Sequence, residues 1–104
     1  MIGYVGAWEG DPGEPPAIFR RFRAGYEAGA EWVDPDVRVL SGLIFDFTRK
    51  PLPYFDAPKV AERVARAQYR MGADVVFHAT GLSGAGVFQA AVDGSTADRH
   101  LWAI

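Results

Sequence analysis

The chain has 104 residues, which is room for one compact domain. It carries 11 Lys and Arg against 13 Asp and Glu, a formal net charge of −2, so it lacks the basic excess that nucleic-acid binders usually carry. It has no cysteine, which excludes disulfide scaffolds and thiol nucleophiles, and no apolar run approaches the roughly 20 residues of a membrane span.

The first predicted strand and helix are separated by a loop. Residues 2–5 form a short apolar run, which predicts strand one and does not have the pattern of a signal peptide. Residues 9–16 contain two Gly, three Pro and three acids, a composition typical of a loop, and the prolines at 15 and 16 suit the first turn of a helix. Apolar residues then recur at helical spacing through 18–33, and Pro35 should end that helix.

The second strand and helix follow the same order. Residues 37–40 alternate and predict strand two, which resumes through 43–45, while 49–56 contain two prolines and predict an extended loop. Pro58 should open the second helix, and Gly72 stands where a left-handed residue is wanted after its end. The apolar face of this helix is predicted to be Val60, Val64, Ala67 and Met71.

The last third of the chain predicts a buried strand, a short helix and a final strand. Residues 74–78 are nearly all apolar, as a strand covered on both faces should be. Residues 80–84 form a tight loop, in which Ser83 is the predicted N-cap of a helix that ends at Gly94, and 101–104 predict strand four. The apolar residues of this helix are Val87, Phe88, Ala91 and Val92.

This alternation of strands and helices predicts the fold class. The order β-α-β-α-β-α-β implies an α/β fold, a three-layer doubly wound parallel sheet with helices on both faces. Ligands of such sheets lie outside the carboxyl ends of the strands, where the strand order reverses. We therefore expect the chemistry in the loops 6–12, 41–56 and 79–84.

The glycine-rich residues 80–86 follow a strand and open a helix, so their backbone N–H groups suit a phosphate. Their spacing is not that of a dinucleotide fingerprint, and they lack the Lys of a phosphate loop. Two interpretations remain open: close packing of strand and helix, or backbone contacts to a polar ligand through Thr80 and Gly81. The alternative function that this loop supports is a small Rossmann-type nucleotide-binding enzyme domain.

Two pairs of residues in the other loops are candidates for ligand contact. Trp8 and Glu9 directly follow strand one. At that position the Trp8 indole is a candidate to stack on a planar ligand, and the Glu9 carboxylate is a candidate to accept hydrogen bonds from the ligand's N–H groups. The other interpretation is that Trp8 covers the end of the core and Glu9 is solvated. Of Tyr54 and Phe55, one is a candidate ligand platform and the other a lid on the next helix.

Neither a metal site nor a catalytic group is predicted. Acids stand at 9, 11, 14, 46 and 56, but no His pairs with them at ligand spacing. His78 ends a buried strand, where a lone His is expected to be packed with its hydrogen bonds satisfied. Ser83 lies too close to His78 for a triad, and no acid completes one. We expect no cofactor and no enzymatic activity.

Five segments together resemble the basic membrane protein (BMP) family. Residues 3–9 resemble its opening "G-x-V-G-G-x-E", and 22–37 resemble "F-x-A-G-F-x-A-G-A…V-N-P-D-V". Residues 54–62 are similar to "F-x-D-P-A-K-x-x-E", 71–77 to "Q-G-A-D-V-I-F", and 80–90 to "G-G-T-G-x-G-V-F-E-A". The matches stand in the family's order and run nearly the whole length of the chain.

The resemblance implies a binding protein rather than an enzyme. The family comprises substrate-binding lipoproteins of ABC importers, exemplified by purine nucleoside receptors, whose two lobes close on a nucleoside. It implies that residues 1–104 are one lobe of a type I periplasmic-binding-protein fold, with the partner lobe outside this sequence. Tyr54 and Gly81 then match positions that line the cleft, and Trp8 and Glu9 match its edge. An ABC permease as partner and an extracytoplasmic, lipid-anchored full-length protein follow from the same resemblance.

The chain departs from the family pattern at several places. Residues 11–16 are an extra stretch, Ala57-Pro58 inverts the usual Pro-Ala, and 78–80 replace the family's "x-A-G". The family's "G-V-D", whose acid binds the ribose, would follow Ile104. An isolated lobe would expose its inter-lobe face and an edge strand, which favours self-association. A regulatory protein that keeps the binding fold without transport is a further interpretation.

Overall fold

The structure, a computed structural model, describes residues 1–7, 18–44 and 56–104. The strands and helices alternate as predicted, with one turn of 3₁₀-helix at Gly81–Ser83 before the last helix. The predicted start of the first helix at residues 15–16 lies outside the described residues. The elements are β1 (Ile2–Gly6), α1 (Ile18–Val33), β2 (Val39–Leu43), α2 (Pro58–Arg70), β3 (Val75–Ala79), α3 (Gly84–Gly94) and β4 (Trp102–Ala103).

The four strands form one parallel sheet in the order β2-β1-β3-β4. The central strand β1 pairs on both sides, so that Gly6 lies beside Leu43 of β2 and beside Ala79 of β3. From β1 the chain moves outward to β2 and then returns to the other side of β1, which makes the gap between β1 and β3 a switch point. The predicted α/β class with a parallel sheet is confirmed.

The main core lies between the sheet and the pair α2 and α3. Val5 and Val76 of the sheet pack there against small residues of the two helices. A Cβ at Gly86 of α3 would overlap the carbonyl oxygen of Pro58 and lie 2.8 Å from the Glu62 nitrogen. The two helices therefore approach at backbone distance. The small core residues that they contribute are Ala61, Ala65, Ala90 and Ala91.

Aromatic rings join α1 to the opposite face of the sheet. The Tyr26 ring of α1 stacks on the Phe77 ring of β3 with their centroids 5.1 Å apart. The fully buried Tyr4 of β1 lies 6.0 Å from both rings. The sheet thus has helices on both faces, as predicted.

The predicted apolar face of α2 is confirmed in part. Val60 and Val64 are partly buried and pack against the core, whereas Ala67 is exposed and the Met71 side chain is 62% exposed just after the helix. The helix turns its small residues inward because α3 can approach closely only over alanines. Of the four apolar residues named for α3, Val87 and Ala91 are buried, and Phe88 and Val92 are exposed. The residues of α2 that are buried are Ala61, Ala65, Gln68 and Tyr69.

Strand β2 begins later than predicted and has no interruption. The Val37 N–H donates to the Asp34 carbonyl at 3.0 Å, so Val37 belongs to the turn after α1. The strand continues through Gly42, where a Cβ would overlap Val64 of α2. Gln68 of α2 donates from Nε2 to the Leu40 carbonyl at 3.0 Å and to that of Tyr4 at 2.8 Å, which links β2 to β1.

Candidate solute-binding edge

The carboxyl ends of β1, β2 and β3 meet at one edge of the sheet, which we call the carboxyl edge. The Ile44 N–H donates to the Gly6 carbonyl at 2.8 Å and extends the β1–β2 pairing past the last ladder residue. Ala7, Ile44 and Thr80 follow the three strands, and each of them is fully buried. These residues form a floor over which loops can hold a ligand, as in other doubly wound sheets.

Of the six residues predicted to bind ligand, two are described by the structure. Thr80 and Gly81 lie at the carboxyl edge, immediately after β3. Trp8, Glu9, Tyr54 and Phe55 lie outside the described residues. The segment 8–17 follows Ala7, and the segment 45–55 follows Ile44, so both are joined to residues of this edge. The four remaining assignments stay predictions.

The turn at Gly81–Ser83 presents backbone and one apolar side chain to solvent. Gly81 has φ +57°, a left-handed conformation that strains residues with a Cβ. The Ser83 N–H donates to the Thr80 carbonyl at 3.2 Å and closes the turn. Gly81 is exposed, and the Leu82 side chain is 73% exposed beside it. A ligand at this edge can therefore reach the Gly81 backbone and the Leu82 side chain.

Ser83 does not have its predicted role as N-cap of α3. Its backbone is already helical, with φ −60° and ψ −24°, and its side chain caps no N–H group of α3. Instead, its Oγ accepts a hydrogen bond of 2.8 Å from the Ala57 N–H, at the start of α2. Ala57 offers no side-chain cap for that helix. Ser83 thus links the beginnings of α2 and α3, a contact that sequence spacing does not reveal because 26 residues separate the pair.

His78 is packed beneath the start of α3, as expected for a lone histidine at the end of a buried strand. A Cβ at Gly84 would overlap the His78 ring, and the Phe88 ring meets it edge-on with centroids 5.5 Å apart. Thr80 Oγ1 lies 3.3 Å from His78 Nδ1. Burial lowers the pKa of His78, because a charged imidazolium would lose hydration in this position. This position therefore favours the neutral form of the imidazole.

Two glycines of the segment 80–86 are needed for packing. Gly84 makes room for the His78 ring, and Gly86 makes room for the Pro58 carbonyl. Gly81 differs from both, since it is exposed and in the left-handed conformation. The packing interpretation therefore holds for Gly84 and Gly86, and Gly81 is the glycine that is left to contact a ligand.

Within residues 1–7, 18–44 and 56–104, no group of three or more His, Asp or Glu side chains is placed to hold a metal ion. No helix in this part of the chain is both long enough and apolar enough to cross a membrane.

A parallel sheet with a switch point at this edge is in keeping with one lobe of a periplasmic-binding-protein-like domain. The whole chain, residues 1–104, matches the Bmp family model, described as "ABC transporter substrate-binding protein PnrA-like". The chain therefore belongs to this family, as its sequence motifs predicted.

Several curated proteins are similar to the chain. Basic membrane protein A of Borreliella afzelii is 34% identical over 90 residues, which are 86% of this chain and 23% of that protein. A CD4+ T-cell-stimulating antigen of Listeria innocua is 33% identical over 105 aligned positions, covering 99% of this chain and 26% of that protein. Basic membrane protein D of Borreliella burgdorferi is 34% identical over 90 residues. The chain thus spans about a quarter of the length of these relatives.

Proposed function

We propose that this chain is a solute-binding lobe of an ABC-importer substrate-binding protein, without catalysis of its own. The observation that carries the proposal is the family match over residues 1–104, combined with a parallel sheet whose carboxyl edge bears an exposed left-handed turn at Gly81. In the full-length protein, a second lobe would close over this edge, and a permease would recognise the closed form.

The proposed solute is a purine nucleoside. Trp8, Tyr54 and Phe55 would supply the ring surfaces on which a base stacks, and Glu9 would accept hydrogen bonds from its N–H groups. The backbone around Thr80 and Gly81 would complete the contacts from the third strand. Support comes from the apolar, fully buried floor of Ala7 and Ile44, and from the neutral His78 below the turn, since both suit an uncharged ligand.

The location and partners follow the family. The full-length protein would act outside the cytoplasm, held at the membrane by a lipid anchor and delivering its solute to the permease. The competing assignment is a nucleotide-binding enzyme that uses residues 80–86. It is not favoured, because the His78 ring fills the space beside Gly84 and the Pro58 carbonyl fills the space beside Gly86.

Amide NMR of the ¹⁵N-labelled chain tests this proposal. Adenosine should shift the amide signals of residues 80–82 with a dissociation constant of about 1 mM or weaker, because one lobe supplies only half of the contacts. Gly81→Val should abolish these shifts, since a side chain there both strains the turn and fills the open edge. Gly29→Val, at an exposed position on α1 with open space around it, is the matched control and should bind as the unaltered chain does.

Three results would contradict the proposal. Micromolar affinity of this chain alone would show that no second lobe is needed. Stronger binding of adenosine monophosphate than of adenosine would favour the nucleotide-binding enzyme. Shifts confined to residues far from the carboxyl edge would place the solute elsewhere.

A further inference from the structure

A small cavity lies at the opposite end of the molecule from the carboxyl edge, and we call it the arginine cavity. Its volume is about 130 Å³, and it lies where α2 and α3 end and the chain turns toward β4. Its floor includes the buried Tyr69, Ala90 and Leu101. The three charged residues that line it are all arginines: Arg66, Arg70 and Arg99.

Acidic residues outside the cavity lining hold two of the three guanidinium groups in place. Arg66 donates from Nε at 3.1 Å and from Nη2 at 2.8 Å to Glu62, and Nη2 also contacts Asp93. Arg99 donates from Nε at 3.2 Å and from Nη2 at 3.0 Å to Asp74. These contacts orient both guanidinium planes but use only the Nε and Nη2 atoms.

The remaining donors have no partner among residues 1–7, 18–44 and 56–104. They are Nη1 of Arg66, Nη1 of Arg99 and the whole guanidinium of Arg70, which makes no hydrogen bond or ion pair within the described residues. Arg70 therefore contributes a positive charge that no described acid compensates. Three arginines with unused donors thus line one cavity, and the acids that orient Arg66 and Arg99 lie outside its lining.

Arg99 also covers the end of a helix that would otherwise repel an anion. The C-terminal carbonyls of α2 carry the negative end of the helix dipole. Arg99 Nη2 donates to the Tyr69 carbonyl in the last turn of α2 at 3.3 Å and to the Ala73 carbonyl just after the helix at 2.9 Å, which offsets part of this negative end beside the cavity.

We propose that the arginine cavity binds a tetrahedral oxyanion, either inorganic phosphate or the phosphate group of a small ester. Guanidinium groups match phosphate oxygens through paired N–H donors, and the buried floor excludes water from one side of the contact. The affinity expected is about 1 mM, because three carboxylates, those of Glu62, Asp93 and Asp74, already pair with Arg66 and Arg99 and offset most of the positive charge around the cavity. This site is independent of the solute-binding function proposed above.

Thermal melting and amide NMR at constant ionic strength test the proposal, with sodium chloride replaced stepwise by sodium phosphate. We expect a saturable rise in melting temperature of a few degrees near 10 mM phosphate, with amide shifts around Arg70 and Arg99. Arg70→Gln should weaken phosphate binding about tenfold, because it removes the uncompensated charge and its donors. Arg63→Gln removes the same charge from an exposed position of α2 outside the cavity lining, and should leave binding unchanged.

Glycerol phosphate distinguishes the two sources of the ligand. Binding at least as tight as that of inorganic phosphate assigns the cavity to phosphate esters, and weaker binding assigns it to the free ion. Equal effects of phosphate and acetate, or equal losses in Arg70→Gln and Arg63→Gln, would overturn the proposal, because they would show only general screening of surface charge.

Discussion

The two faces of the sheet are covered in different ways. On one face, α2 and α3 touch at backbone distance through Gly86, and most of the residues that these helices bury in the core are alanines. On the other face, α1 meets the sheet through the rings of Tyr26, Tyr4 and Phe77. Its Gly25 and Gly29 have open space where a Cβ would stand. The helical Gly86 is therefore required for packing on one face, whereas the helical Gly25 and Gly29 on the other face leave space that a side chain could fill.

The largest effect should come from breaking the close contact. Gly86→Ala would drive a methyl group into the Pro58 carbonyl and against the Glu62 nitrogen, neither of which is the end of a flexible side chain. Moving α3 away from α2 should lower the free energy of unfolding by about 3 kcal/mol, a large part of the total for a domain of this size. Urea denaturation measures it, and a loss below about 0.5 kcal/mol would show that the helices do not approach so closely.

The same substitution on the other face should have the opposite sign. Gly25→Ala adds a methyl group at an exposed helical position with no heavy atom within 4 Å. Alanine is favoured over glycine in a helix, so the free energy of unfolding should rise by about 0.5–1 kcal/mol. If Gly25→Ala and Gly86→Ala changed stability alike in urea denaturation, the contrast between the two faces would be refuted.

The smallest effect expected is a pH dependence on the face of α2 and α3. Burial lowers the pKa of His78 below its unfolded value near 6.5, so the folded state disfavours the proton that the unfolded state binds. The stability contributed by neutral His78 is therefore present above about pH 6.5 and decreases as the pH falls below it. Urea denaturation from pH 8 to pH 5 should show this decrease.

His78→Gln should reduce this pH dependence, whereas His100→Gln should not, because His100 is exposed. Equal slopes against pH in the two variants would contradict the assignment to His78. NMR titration of the His78 imidazole gives a second measurement, since its pKa should lie below the usual range.

The candidate site could be predicted in part from the sequence. Thr80 and Gly81 follow an apolar strand, and the carboxyl ends of parallel strands meet at one edge, so local pattern and topology together were enough to locate them. The role of Ser83 could not be predicted, because a serine before a helix resembles an N-cap until the distant Ala57 N–H is seen to occupy its oxygen.

The arginine cavity was not predicted either. Arg66, Arg70 and Arg99 come from one helix and from a segment that follows another, and their spacing follows no known motif. Their convergence depends on how α2 and α3 dock and on where the chain turns toward β4. In the sequence, these arginines look like ordinary solvated surface residues.

The alternation of apolar runs and helical periods determined by itself the order of the elements and the parallel α/β class. It also located the end of α1 before Pro35 and the left-handed residue at Gly72, which has φ +109°. These features depend on neighbours in the chain, through backbone sterics and side-chain periodicity. Only the tertiary structure decided which side of α2 is buried, because rotation of a helix about its axis is set by the surface against which it packs. Here that surface is α3 at Gly86, which favours Ala61 and Ala65 over Ala67 and Met71.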